Sequence, residues 1–227
     1  MNGLVPDVCR SLASVERNQH VMKSPLLWIV LCLILSVCAP AAKADENADV
    51  KAIVDKAIKA VGGEDKLLRL FRWKEQYYIG ESKTGTIREA ILQPPDHWWQ
   101  AKTDIAKNNP DRLDKTHLVE AWTLVPLTSK ESKLTLLPEI KVEDKPAIGI
   151  RLVRKGKADL GLYFDKESGL LARIDWRTYH VSFSDWKEVD GVKYPSKSFV
   201  RTKEGKLHLW TEFLELERLK SLPDGLK

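Results

Sequence analysis

Cysteine is scarce and confined in this chain. Of 227 residues only Cys9, Cys32 and Cys38 are thiols, all within the first 44 residues, and both methionines, Met1 and Met22, lie there too. From residue 45 onward there is no cysteine, which excludes a disulfide framework, a thiolate metal site and a cysteine nucleophile there. Charge of one sign is lacking as well. The first 44 residues hold four of the 37 Lys+Arg and two of the 32 Asp+Glu, leaving 33 basic and 30 acidic side chains in 45–227, a net +3. So even a balance gives no basic stripe for a nucleic-acid partner, and Trp98-Trp99-Gln100-Ala101-Lys102 is a poor base-stacking platform in that setting.

Catalytic and metal signatures are missing too. His97, His117, His180 and His208 stand far apart, and no H-E-x-x-H, G-x-S-x-G, G-x-x-x-x-G-K-[ST] or G-x-G-x-x-G occurs. Ser182 and Ser184 lie near His180 without an orienting acid. Asp165 to Glu167 lacks the ligand spacing of a calcium loop, and a pair such as Asp175 and Asp185 has no specificity among 30 acids. The expectation is a protein that is not an enzyme, with no catalytic residue, no metal and no cofactor.

Long hydrophobic runs are limited to Leu26–Val37, which follows Lys23 and leads into Ala42-Lys43-Ala44. A basic residue, an apolar run and an A-x-A end are the pattern of a cleaved export signal, with the cut between Ala44 and Asp45. The organisation expected is therefore an upstream extension and signal over 1–44, with Met22 an alternative start, and one domain over 45–227 exported to the periplasm or another extracytoplasmic space. Lipidation at Cys38 ranks second, since Val37 stands where a lipobox has a small residue. An uncleaved anchor over Ser24–Ala42 ranks third.

What remains has an ordinary globular composition, 43% hydrophobic and 30% charged over the whole chain. Val50, Ile53, Val54, Ala57, Ile58 and Val61 recur at helical spacing, with Gly62-Gly63 as the exit, and a second short helix is expected over Asp65–Phe71. From Trp73 the period changes to two. Strands are expected at 73–80, 86–92, 97–103, 147–154, 158–165, 170–176, 179–187, 192–201 and 206–216, joined by turns such as Lys155-Gly156, Asp190-Gly191 and Glu204-Gly205. Connections so short make the pairing antiparallel. Segment 104–146 lacks clean alternation. Asn109-Pro110 followed by Leu118, Ala121 and Trp122 reads as a capped helix ending before Pro126, a flap over one face of the sheet. Several strands are apolar on both faces at once, as in Tyr77-Tyr78, Ile91-Leu92, Trp98-Trp99 and Leu170-Leu171, so both faces need cover.

Four segments resemble the outer-membrane lipoprotein-sorting (LolA-like) superfamily of exported proteins: Ala60-Val61-Gly62-Gly63-Glu64, Gln93-Pro94-Pro95-Asp96-His97-Trp98, LYFDKESGLLARI at 162–174 and SDWKEVDGVKYP at 184–195. The resemblance implies a mainly β (α+β) fold, a curved antiparallel half-open β-barrel with an N-terminal amphipathic helix and a short helical lid. It also implies a hydrophobic cavity and a carrier of an acyl ligand or lipoprotein; a monomer, with transient membrane contact, is expected. The alternative within the same fold is an envelope sensor that binds a protein partner and no lipid. On the doubled apolar positions and the lid over 104–127, the candidate cavity residues are Tyr78, Leu92, Trp99, Trp122, Leu162 and Phe164, with the faces open to exchange by a one-residue shift in register.

Overall fold

Apolar residues at helical spacing do form the first element of the computed structural model, which describes residues 46–107 and 110–226. The expected signal, its cut at Ala44–Asp45, the alternative anchor at Cys38 and the capping Asn109 lie outside the described residues. Helix α1 (Glu46–Ala60) buries Val50, Val54 and Ala57 and leaves its lysines and aspartates in water, with Glu46 and Asp49 at its positive end. It exits through Gly62 and Gly63, both at positive φ.

Eleven strands follow in one antiparallel sheet: β1 (Phe71–Ile79), β2 (Thr86–Gln93), β3 (His97–Gln100), β4 (Thr103–Asp104), β5 (Lys133–Val142), β6 (Lys145–Val153), β7 (Leu160–Asp165), β8 (Leu171–Trp176), β9 (Tyr179–Val189), β10 (Val192–Thr202) and β11 (Leu207–Arg218). Their spatial order is β4-β3-β2-β1-β11-β10-β9-β8-β7-β6-β5. Neighbours in sequence are neighbours in space except for β4 and β5, and the pairing of β1 with β11 carries the last strand back to the first. The sheet is curved and unclosed, a half-barrel.

That order makes β4 and β5, consecutive in the chain, the two opposite edges of the sheet. The segment between them has to cross it. It crosses the inner face as helix α2 (Pro110–Ala121) and a 3-10 turn (Val125–Thr128). Pro110 at the first helical position suits α2, since its missing N–H is one of the helix's unsatisfied donors in any case. The flap expected from 104–127 is thus a lid required by topology. Ala44–Lys227 forms one compact unit. Its core is a single cluster that holds Val50, Val54 and Ala57 of α1 together with Ile150, Leu162 and Phe164, and in which Trp122, just past α2, packs with Phe71 and Phe213.

Three elements differ from expectation. The helix expected over 65–71 is only a 3-10 turn, Glu64–Lys66, because Phe71 and Trp73 already alternate as the start of β1. The strand expected over 97–103 breaks at Ala101, which has φ 52°, and returns as β4. Strand β5 is the third. Pro138 falls within it, and the register shifts between Leu137 and Ile140, a bulge that an edge strand tolerates and an inner one would not.

Candidate functional site

A cavity of about 120 Å³ lies between α2 and the inner face of the sheet. Its placement follows from strand alternation. On β1, Arg72 and Lys74 mark the outer face by their charge, so Phe71, Trp73 and Glu75 face in. Register carries the inner row to Leu92, Ala90 and Arg88 on β2, and Leu92 pairs with Trp98 of β3. On the other side it carries from Glu75 to Phe213 of β11. The helix contributes Leu118, Val119 and Trp122, and β9 to β11 contribute Val181, Phe183, Val200 and Leu209. Aromatic rings form much of the wall, with Trp73 5.9 Å from Trp98 and 6.3 Å from Phe213, and Trp122 5.6 Å from Phe213.

Two polar features lie in and behind this wall. Glu75, only 3% exposed, accepts a 2.8 Å hydrogen bond from Arg88 Nε and a second from Nη2, and the Arg88 guanidinium lies 5.3 Å over Trp98. The indole N–H groups of Trp73 and Trp98 are buried with no acceptor among the described residues. A buried donor without a partner carries a desolvation cost of about 1–3 kcal/mol.

The lid is held by a buried ionic cluster. Glu120, at 0% exposure, ion-pairs with Arg154, accepts from the Asp96 amide at 3.0 Å, meets His117 Nδ1 at 3.2 Å and lies 3.7 Å from Lys157 Nζ. Lys157 also pairs with Asp96, and its removal from water pushes its ammonium down to about 8. Asp114, on the same helix, accepts from the Ala158 amide at 3.1 Å and from Trp176 Nε1 at 3.2 Å, and pairs with Arg177 at 2.7 Å. The two buried carboxylates of α2, Asp114 and Glu120, therefore tie it to the β2–β3 turn, the β6–β7 turn and the end of β8. Among the described residues, no group of three or more His, Cys, Asp or Glu is placed to hold a metal ion.

Of the six residues singled out from sequence, Trp122 lines the cavity. Leu92, Leu162 and Phe164 lie buried in the same inner core, and Phe164 also borders a hollow beside Ala52 and Ile53 of α1. Tyr78 and Trp99 are on the outer face. Tyr78 stacks on Trp210 at 3.9 Å, and Trp99 stacks on His97 and borders a hollow with Pro223 and Leu226 of the C-terminal segment. Reading the sequence missed Trp73, Trp98, Arg88 and Phe213. The signal for the first two was present, since Arg72, Lys74 and Glu89 fix which face is wet.

No family model matches the sequence, and no curated protein matches it. Solved structures do. A domain from Vibrio parahaemolyticus described as an outer membrane lipoprotein-sorting protein superposes with a TM-score of 0.50 at 9% identity, over 78% of this chain and 95% of its own. A DUF1329 family protein from Desulfovibrio piger reaches 0.47 at 13% identity, over 77% of this chain and 95% of its own. A LolA superfamily protein from Nitrosomonas europaea reaches 0.46 at 9%, with the same two shares. At such identities the likeness bears on architecture, where it agrees with an unclosed antiparallel sheet covered by two helices, and the chain has the LolA-like half-barrel fold.

Proposed function

We propose that the protein is an exported, non-enzymatic binding protein that holds an apolar ligand, an acyl chain of a lipid or lipoprotein, between the inner face of the sheet and α2. The observation that carries this reading is the cavity itself: about 120 Å³ left open in an otherwise packed core, with aromatic walls. Each methylene removed from water there contributes about 0.8 kcal/mol.

The volume sets a limit. A dry cavity of about 150 Å³ accepts benzene, so the closed form holds a short stretch of chain, and a longer one requires α2 to lift. A second reading, an envelope sensor whose ligand is a protein, draws on the solid packing of the rest of the inner face, where Ile150, Leu162 and Ile174 are fully buried. Mass spectrometry of organic extracts from gently purified protein, with titration of a fluorescent fatty acid, separates the two. A co-purifying acyl compound and saturable probe binding are expected. A lipid-free extract with no probe binding would overturn the carrier reading and leave the sensor.

A further inference from the structure

Ile79 and Ile87, the two most exposed large apolar side chains among the described residues at 66% and 59%, flank one turn, that joining β1 to β2. They stand on opposite faces of it. Ile87 pairs with Gln76 in the outer row, whereas Ile79 continues the inner row of Trp73, Glu75 and Tyr77 and pairs with Leu209, a residue of the cavity wall. A protein partner docks against one face of a hairpin. Apolar groups on both faces of a tip suit a medium that surrounds it.

The neighbourhood fits that medium. The Gly80 amide donates to the His208 carbonyl at 2.9 Å and the Lys203 amide to the Thr178 carbonyl at 3.0 Å, which gathers the β1–β2, β10–β11 and β8–β9 turns at one end of the sheet. Just behind the tips, Tyr78 stacks on Trp210, Trp210 lies 6.0 Å from Phe199, and the Arg201 guanidinium sits 5.3 Å over Phe199. Lys83, Arg201, Lys203 and Lys206 stand here against Glu81 and Glu204. The lysines engaged in ion pairs are others, such as Lys74, Lys166 and Lys197. Lys83, Lys203 and Lys206 are exposed, and apolar side chains, an aromatic band and exposed cations are the three components that hold proteins at an anionic bilayer surface.

We propose that this end of the half-barrel docks on phospholipid bilayers containing anionic headgroups, with Ile79 and Ile87 entering the interface on either side of their turn and Lys83, Lys203 and Lys206 reaching the headgroups. The proposal is independent of what fills the cavity. The test is co-sedimentation of residues 45–227, the compact unit without the apolar leader, with phosphatidylglycerol–phosphatidylethanolamine vesicles and with phosphatidylcholine vesicles. Binding to the anionic vesicles alone is expected, lost by about tenfold or more in Ile79→Ser/Ile87→Ser and in Lys203→Glu/Lys206→Glu, and weakened by salt. Both variants are expected to keep the parent melting temperature, which separates lost docking from lost folding. Absence of vesicle binding, binding indifferent to the isoleucine pair, or self-association that Ile79→Ser/Ile87→Ser abolishes would each overturn the proposal. Vesicle binding without probe binding would support it while sinking only the carrier reading.

Discussion

Glu120 shows how much of this molecule rests on single side chains that no local pattern reveals. Its carboxylate is fully buried and faces Arg154 and Lys157, both nearly out of water. Removing one charge from such a cluster leaves the others uncompensated, which costs about 3–5 kcal/mol, far more than breaking a surface pair. Glu120→Gln keeps the volume and removes the charge, so the unfolding free energy from urea titration is expected to fall by about 3–5 kcal/mol. A loss under about 1 kcal/mol would show that the cluster does not anchor the lid. From sequence, only His117 and Glu120 announce a relation, being one helical turn apart. Asp96, Arg154 and Lys157 reach them from distant turns. The same scale explains Tyr78 and Trp99: adjacent aromatics were visible as pairs, but the choice between partners depended on the charged residues two positions away.

Elements were more legible than their contacts. The helix exit at Gly62-Gly63 and the Asp190-Gly191 hairpin both follow from turn chemistry. Asp190 and Gly191 at φ 50° and 77°, with Val189 opposite Val192, form the two-residue loop that the strand twist favours. That these two turns meet was not legible. A Cβ on Gly62, which has φ 119°, would stand 2.1 Å from the Gly191 carbonyl oxygen, and the Val61 carbonyl accepts from the Lys193 amide at 2.9 Å. Gly62→Ala is therefore expected to lose about 2–4 kcal/mol from strain and overlap together. Gly205→Ala, at φ 88° with open space around it, isolates the strain alone at about 1–2 kcal/mol. Equal losses in chemical denaturation would contradict the contact between α1 and the β9–β10 turn. Strand β5 is not legible because segment 104–146 lacks clean alternation, and within it Pro138 and the bulge between Leu137 and Ile140 break the period of two. At the edge a missing N–H costs nothing, and the Glu46 carboxylate accepts the outward Leu136 amide at 3.2 Å, which covers part of an otherwise open edge.

At the scale of the whole molecule, the sequence shows a chain of antiparallel hairpins but not the long-range pairing of β1 with β11, which has no local signature. That pairing puts β4 and β5 at opposite edges, so the connection between them must lie across the inner face. The half-barrel then has two covers: α1 buries Val50, Val54 and Ala57 over one half, whereas α2, tied down through Glu120 and Asp114, bridges the other half and leaves the cavity beneath it. If that space is where a ligand sits, filling it separates stability from binding. Val119, on α2 and in the cavity wall, points the test: Val119→Phe adds apolar atoms to about 120 Å³ of open volume. At about 24 cal/mol per Å³ of cavity removed, the gain in unfolding free energy is expected to be positive and at most about 2–3 kcal/mol. Fatty-acid probe binding is expected to fall by more than about tenfold, since each displaced methylene forfeits about 0.8 kcal/mol. A destabilised variant would mean that α2 has no room to accept the ring. A stable one that binds the probe as the parent does would place the ligand elsewhere than under α2.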